Sequence, residues 1–135
     1  MFKFASMDRV SARNLHPQVQ AFVGDGVYSL YIRHRLLLDK NLQGQDLHNA
    51  VTNYVKAGGQ SQFISKLIPL FTEEEMSVFK RARNHKTLSQ SKNASIIDYR
   101  RATGLEAVLG FLYLIGDEDR LNELLELSIG EKDED

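Results

Sequence analysis

From Ala21 to Ile32 the chain reads Ala-Phe-Val-Gly-Asp-Gly-Val-Tyr-Ser-Leu-Tyr-Ile, apolar on almost every side of a helix and yet carrying one carboxylate. At about 100° per residue, Val19, Phe22, Val23, Val27, Leu30, Leu37 and Leu38 make one broad apolar face. Ala21, Tyr28, Ile32 and Leu36 spread over the other side, with Asp25 among them. A helix that is hydrophobic all round belongs in an interior, so the fold has to be built around this segment. An ionised carboxylate there loses its water at a cost of several kcal/mol unless a cation or hydrogen-bond donors replace the solvent. Asp25 therefore needs a partner.

A second segment poses the same problem. Leu105 to Ile115 is another apolar helical run with a single acid, Glu106. Two lone carboxylates on two buried helices can share one cation; they can equally face a solvent-filled groove or pair with arginines, and the residues alone leave these readings open. Gly24 and Gly26 flank Asp25, and Gly110 follows Glu106 by one turn. Each glycine costs roughly 1 kcal/mol against alanine inside a helix, so their presence suits close approach by a backbone, a metal or a substrate.

No segment alternates polar and apolar residues over strand length, which makes the expected fold all-α, a helical bundle. At 135 residues it is expected to be one domain. Its expected organisation is an N-terminal arm over 1–16, a catalytic body over 17–130 and an acidic tail over 131–135. Residues 1–16 show no sustained period and are assigned no element, although Phe2, Phe4 and Val10 could tuck a short arm against the body. Absence of cysteine excludes a disulfide framework and a thiolate metal site. Charges interrupt every long apolar run and the first residues lack a secretory pattern, so no membrane span and a cytoplasmic location are expected.

His16-Pro17 opens the first long helix, expected from about Pro17 to Leu38. Asp46 is the expected N-cap of a second helix that Gly58-Gly59 ends, with Leu47, Ala50, Val51, Tyr54 and Val55 inward. A third covers Ser61 to Leu67, and Pro69 prevents its continuation. Thr72-Glu73-Glu74-Glu75 is a capping box, which explains those glutamates without catalysis. The helix it starts runs through Met76, Val78 and Phe79 into the basic residues up to Lys86. Thr87 to Ser95 reads as an exposed polar loop. Ile96 restarts helix as far as Ile115, with a break candidate at Gly104, and a last amphipathic helix places Leu121, Leu124, Leu125 and Leu127 inward before Gly130.

A formal net charge of −1 hides an asymmetry. Between Met76 and Leu105 the only acid is Asp98, against Lys80, Arg81, Arg83, Lys86, Lys92, Arg100 and Arg101. Such a stretch can be an ordinary solvated face. Here it flanks the segment leading into Glu106. A polyanion held by Arg81, Arg83, Lys86, Lys92, Arg100 and Arg101, with a phosphodiester brought to a metal at Asp25 and Glu106, explains both features together. Magnesium suits such a site, because it takes carboxylate oxygens, keeps several waters and bridges to phosphate. There is no Glu-x-x-His pair, no His-Glu-x-x-His and no adjacent His-Asp pair; His16, His34, His48 and His85 are scattered.

These residues also carry a resemblance. Ala21-Phe22-Val23-Gly24-Asp25-Gly26-Val27-Tyr28 resembles the signature helix of ribonuclease III, and Leu105-Glu106-Ala107-Val108-Leu109-Gly110 looks like its last catalytic helix. Tyr31-Ile32-Arg33-His34, Asp46-Leu47-His48, the capping box with Lys80-Arg81-Ala82-Arg83-Asn84, and Lys92-Asn93 followed by Tyr99-Arg100 are similar to the family's short bacterial branch, Mini-ribonuclease III. The resemblance spans about residues 17 to 127.

It implies a ribonuclease III-like endonuclease domain that uses Mg2+, with Mn2+ able to substitute, to hydrolyse double-stranded RNA by attack of a metal-activated water. In this branch it implies action on the stem of precursor 23S ribosomal RNA, and a homodimer whose two centres share one valley, each cutting one strand to leave a two-nucleotide 3′ overhang. Asp25 and Glu106 carry over as the metal-binding catalytic acids, and a ribosomal protein on the precursor is a candidate further partner. Ala21 and Thr103 depart from the longer family pattern, which has a glutamate and an aspartate there, and the chain ends without a double-stranded-RNA-binding domain. A non-catalytic helical RNA-binding or ribosome-assembly module is the main alternative; a helical metallohydrolase acting on nucleotides is a third.

Overall fold

The computed structural model describes residues 2–40, 44–55, 63–85 and 96–129, and among them every regular element is helical. They form α1 (Arg9–Arg13), α2 (Pro17–Lys40), α3 (Gly44–Val55), α4 (63–67) with a 3-10 turn at Ile68–Leu70, α5 (Glu73–Asn84), α6 (Ile96–Ile115) and α7 (Glu118–Ile129). Expectations for Gly58-Gly59, the loop from Thr87 to Ser95 and the tail at 131–135 lie outside the described residues.

α6 is the central element, because its sequence is apolar around most of its circumference and neighbours cover it on most sides. Ala102, Gly104, Leu105 and every residue from Ala107 to Leu112 are buried. α2 packs on it most extensively, followed by α5, with α7 and α1 closing the remaining sides. Gly104 does not break the helix. A Cβ there would lie 2.7 Å from the Phe79 ring, so the glycine admits that ring from α5.

α2 corrects the expectation of an all-round interior helix. Its buried stripe centres on Ala21, Gly24, Tyr28, Ile32 and Leu36, the narrower of the two faces, joined by Val27 from the broad face, while Val19, Phe22, Leu30, Leu37 and Leu38 stand exposed. Small residues decide this. Cβ atoms at Gly24 and Gly110 would fall among the backbone atoms of the opposite helix, so the two backbones meet where no side chain intervenes. The bulky face cannot approach α6 that closely and is left outside, with Phe22 80% exposed.

The arm is also corrected: Phe2, Phe4 and Val10 are exposed, and α1 attaches by other means. Buried Gln20 donates from Nε2 to the carbonyls of Ala12 and Arg13 at 2.9 and 3.2 Å. Arg81 donates to the Arg13 carbonyl at 3.1 Å and also to that of Leu15. Arg13 pairs with Glu74 at 2.8 Å, and Met7 N donates to the Leu114 carbonyl at 2.7 Å. α3 begins two residues before Asp46, which lies within its first turn rather than at the cap. α4 ends at Leu67 as expected, and Pro69 sits within the 3-10 turn that follows it.

The capping box at Thr72 is present in both directions, Glu75 N to Thr72 Oγ1 at 3.1 Å and Thr72 N to Glu75 Oε1 at 3.0 Å. Glu75 does more than cap. It is 3% exposed and accepts two bonds from Arg120 of α7, each 2.8 Å, while Arg120 also donates to the Leu70 carbonyl at 2.7 Å. Burial alone would raise the Glu75 carboxyl; the Arg120 and Thr72 bonds outweigh it and hold the group below its ordinary range. α5, the 3-10 turn and α7 are thereby joined at one point.

Candidate active site

The tight α2–α6 crossing determines where the two isolated acids go. Asp25 follows Gly24 directly, and the atoms that a Cβ on Gly24 would meet belong to Glu106 and Gly110. The glycines that let the helices touch therefore bring the acids side by side. Gly26 has no such role, since a Cβ there meets nothing within 4 Å. Gln18, Ala21, Phe22 and Asp25 of α2 and Tyr99, Thr103 and Glu106 of α6 line one pocket of about 250 Å³.

Asp25 is exposed at this pocket and Glu106 is half-buried. Burial pushes the Glu106 carboxyl up to about 9, and Asp25 adds to the rise through its charge and through a carboxyl–carboxyl hydrogen bond. At neutral pH without a cation, the raised value favours the protonated form of the Glu106 carboxyl. Among the described residues no arginine is paired with either acid. The donor set is made of oxygen atoms, the two carboxyls with the Thr103 hydroxyl beside them, and among the described residues no group of three His, Asp or Glu side chains converges anywhere. Two carboxyls held side by side, with hard oxygen donors and no soft ligand, fit a cation such as magnesium.

The expected basic contacts divide. Arg81 is engaged with carbonyls at the end of α1, and Arg101 donates to Ser65 Oγ at 2.6 Å. Arg83 lies over the Phe79 ring at 5.5 Å and donates to Asn84 Oδ1. Arg100 is half-buried near the start of α6, one residue beyond pocket-lining Tyr99. Lys86 and Lys92 lie outside the described residues. His16 accepts the Gln18 backbone N–H on Nδ1 at 3.1 Å and meets His85 edge-on at 4.7 Å, a structural role at the start of α2.

Gln18, which the sequence reading does not name, and Tyr99, which it names only within the resemblance, are both pocket residues. The signal was available in the spacing, since each lies seven residues before its helix's acid and so on the same face.

A family model described as the ribonuclease III domain matches residues 18–117. Mini-ribonuclease 3 of Thermoanaerobacter sp. (strain X514) is 44% identical over 116 residues, covering 86% of this chain and 82% of its own length. Mini-ribonuclease 3 of Clostridium tetani is 43% identical over 118 residues, covering 87% and 78%. The crystal structure of protein FN1578 from Fusobacterium nucleatum is similar with a TM-score of 0.78 at 30% identity, covering 89% of this chain and 96% of that one.

Proposed function

The chain belongs to the ribonuclease III family, in its Mini-ribonuclease 3 branch, and is a ribonuclease III-type endoribonuclease for double-stranded RNA; we propose that it works through magnesium held by Asp25 and Glu106. The observation that carries this reading is the convergence of those two carboxyls in one pocket, with Glu106 driven to hold a proton when no cation is present. A bound divalent cation supplies the positive charge that neutralises the phosphodiester and favours attack by water at phosphorus. A cation held there would favour the ionised form of Glu106, so affinity is expected to rise with pH. Asp25 presents the second carboxylate from the exposed side, where the duplex backbone arrives. No nucleophilic side chain takes part.

Duplex RNA is gripped through backbone contacts across its shallow groove. Arg83 and Arg100 with Lys86 and Lys92 supply direct contacts, while Arg81 and Arg101, committed to internal bonds, contribute charge to the same field. The exposed apolar edge of α2 from Val19 through Phe22 to Leu38 supports a homodimer, because a stripe of that kind marks a protein contact. The proposed physiological substrate is the stem of precursor 23S ribosomal RNA in the cytoplasm, with a ribosomal protein on that precursor as a further partner. Among the described residues no helix is long and apolar enough to cross a membrane.

Incubating the protein with an end-labelled RNA duplex, with and without magnesium, tests the assignment. Defined fragments are expected only with the metal, and Asp25→Asn or Glu106→Gln should abolish them while the protein stays folded. Retarded but intact RNA under every condition would leave a binding module in place of an enzyme. Undiminished turnover in either variant would remove that residue from the site.

A further inference from the structure

Two polar side chains line the carboxylate pocket without any part in the chemistry above. Gln18 and Tyr99 each stand two helical turns before an acid, so α2 and α6 present the same pattern to the pocket: a neutral hydrogen-bonding group, a small residue (Ala21 or Thr103) and a carboxylate. Local bonds fix both positions. His16 Nδ1 holds the Gln18 backbone N–H in the first turn of α2, and Thr103 Oγ1 donates to the Tyr99 carbonyl at 3.0 Å. Among the described residues neither the Gln18 side-chain amide nor the Tyr99 hydroxyl has a hydrogen-bond partner.

Their chemistry differs from that of everything else around the phosphodiester. Phosphate oxygens only accept, and cations and arginines serve them. An amide and a phenol each both donate and accept, which complements a group that does the same. On the substrate strand, the group with that character beside every phosphate is the ribose 2′-hydroxyl, and it is what distinguishes RNA from DNA at a given site. Ala21 and Thr103 contribute only small side chains to this lining, and the pocket's volume of about 250 Å³ is enough to admit a sugar. We propose that Gln18 and Tyr99 read the ribose 2′-hydroxyl beside the scissile phosphate and are specificity-determining residues for RNA over DNA. This rests on the assignment of the nuclease site to Asp25 and Glu106. A deoxyribose would leave both groups unpaired, the circumstance in which a hydrogen-bonding site rejects an analogue most strongly.

The test compares one RNA duplex with a series of the same duplex, each carrying a single 2′-deoxy nucleotide from two positions before the cut to two after it. Wild-type protein is expected to lose at least about tenfold in kcat/KM when the hydroxyl beside the cut is missing, the sum of two neutral hydrogen bonds. The Gln18→Ala/Tyr99→Phe protein should lose a similar factor on all-ribose RNA and discriminate ribose from deoxyribose by less than about threefold. Tyr99→Phe keeps the ring and removes only the hydroxyl, and an unchanged melting temperature separates lost recognition from lost structure. A wild-type protein indifferent to deoxy substitution at every position, or a double variant that keeps the wild-type ratio, overturns the proposal while leaving the nuclease assignment intact. A wild-type protein that leaves the RNA duplex whole in magnesium overturns both.

Discussion

Replacing Gly24 by alanine puts one methyl group where α2 and α6 have none to spare. The new Cβ would collide with the Glu106 carbonyl oxygen and lie 2.6 Å from its carbon and 2.9 Å from Gly110 N, all of them backbone atoms that no rotamer change can move aside. Relieving the carbon alone requires about 0.8 Å of separation between the helices and relieving the nearer carbonyl oxygen more than that, and overpacking of this kind costs about 3 kcal/mol, the upper part of its usual range. For a domain of this size that corresponds to a fall of roughly 10 °C in Tm. The displaced segment carries Glu106, so the distance between the two acids changes as well, and a misplacement near 1 Å can reduce turnover by about 100-fold. Gly26→Ala is the internal control. It lies one residue beyond Asp25, meets nothing within 4 Å, and should raise stability by about 0.5–1 kcal/mol through helix propensity. Differential scanning calorimetry and duplex cleavage read both quantities. Near wild-type melting and turnover in Gly24→Ala would refute the claim that backbone contact at this crossing sets the geometry of the site, as would equal damage from both substitutions.

Further expectations concern charge and assembly. Glu106 has a folded value of about 9 against 4.5 when unfolded, so its contribution is fully present below 4.5 and is lost as pH rises toward 9. Solvent at the half-open site screens this to about 2 kcal/mol between pH 5 and 8; calorimetry should show metal-free protein weakening over that interval, magnesium restoring more at pH 8 than at pH 6, and Glu106→Gln removing both effects. Glu75 has the opposite sign. Its stabilisation is present above its unfolded value and lost as pH falls through the lower folded one, so Arg120→Met, which strands a buried carboxylate, should cost about 3 kcal/mol near neutrality and flatten the acid limb of the stability profile. Phe22→Glu on the exposed edge of α2 should yield a monomer by light scattering, and a persistent dimer would place the interface elsewhere.

The extent of α2, the capping box at Thr72 and the inward leucines of α7 were legible in the sequence, because apolar period and end signals are local properties. The meeting of Asp25 with Glu106 was legible as well, since an acid alone in an apolar helix demands an explanation. Which face of α2 turns inward was not. Periodicity weighs apolar bulk, whereas the crossing was decided by the absence of side chains at Gly24 and Gly110. The Glu75–Arg120 pair was hidden for a different reason: local capping already accounted for the glutamate, and its partner is 45 residues away in the chain. That Gln18 and Tyr99 line the pocket was not legible, because neutral side chains create no imbalance that a sequence can display.

The junction beneath α1 bears on how the polypeptide can be shortened. Two neighbouring elements reach up to its last carbonyls, Gln20 from α2 and Arg81 from α5, and both would be left grasping at solvent if the residues before Pro17 were removed. The leading peptide is in that sense a keystone rather than a fringe. Trimming as far as Phe4 sheds only surface rings, while trimming past Arg13 strips Arg81 and the buried Gln20 of carbonyls they hold.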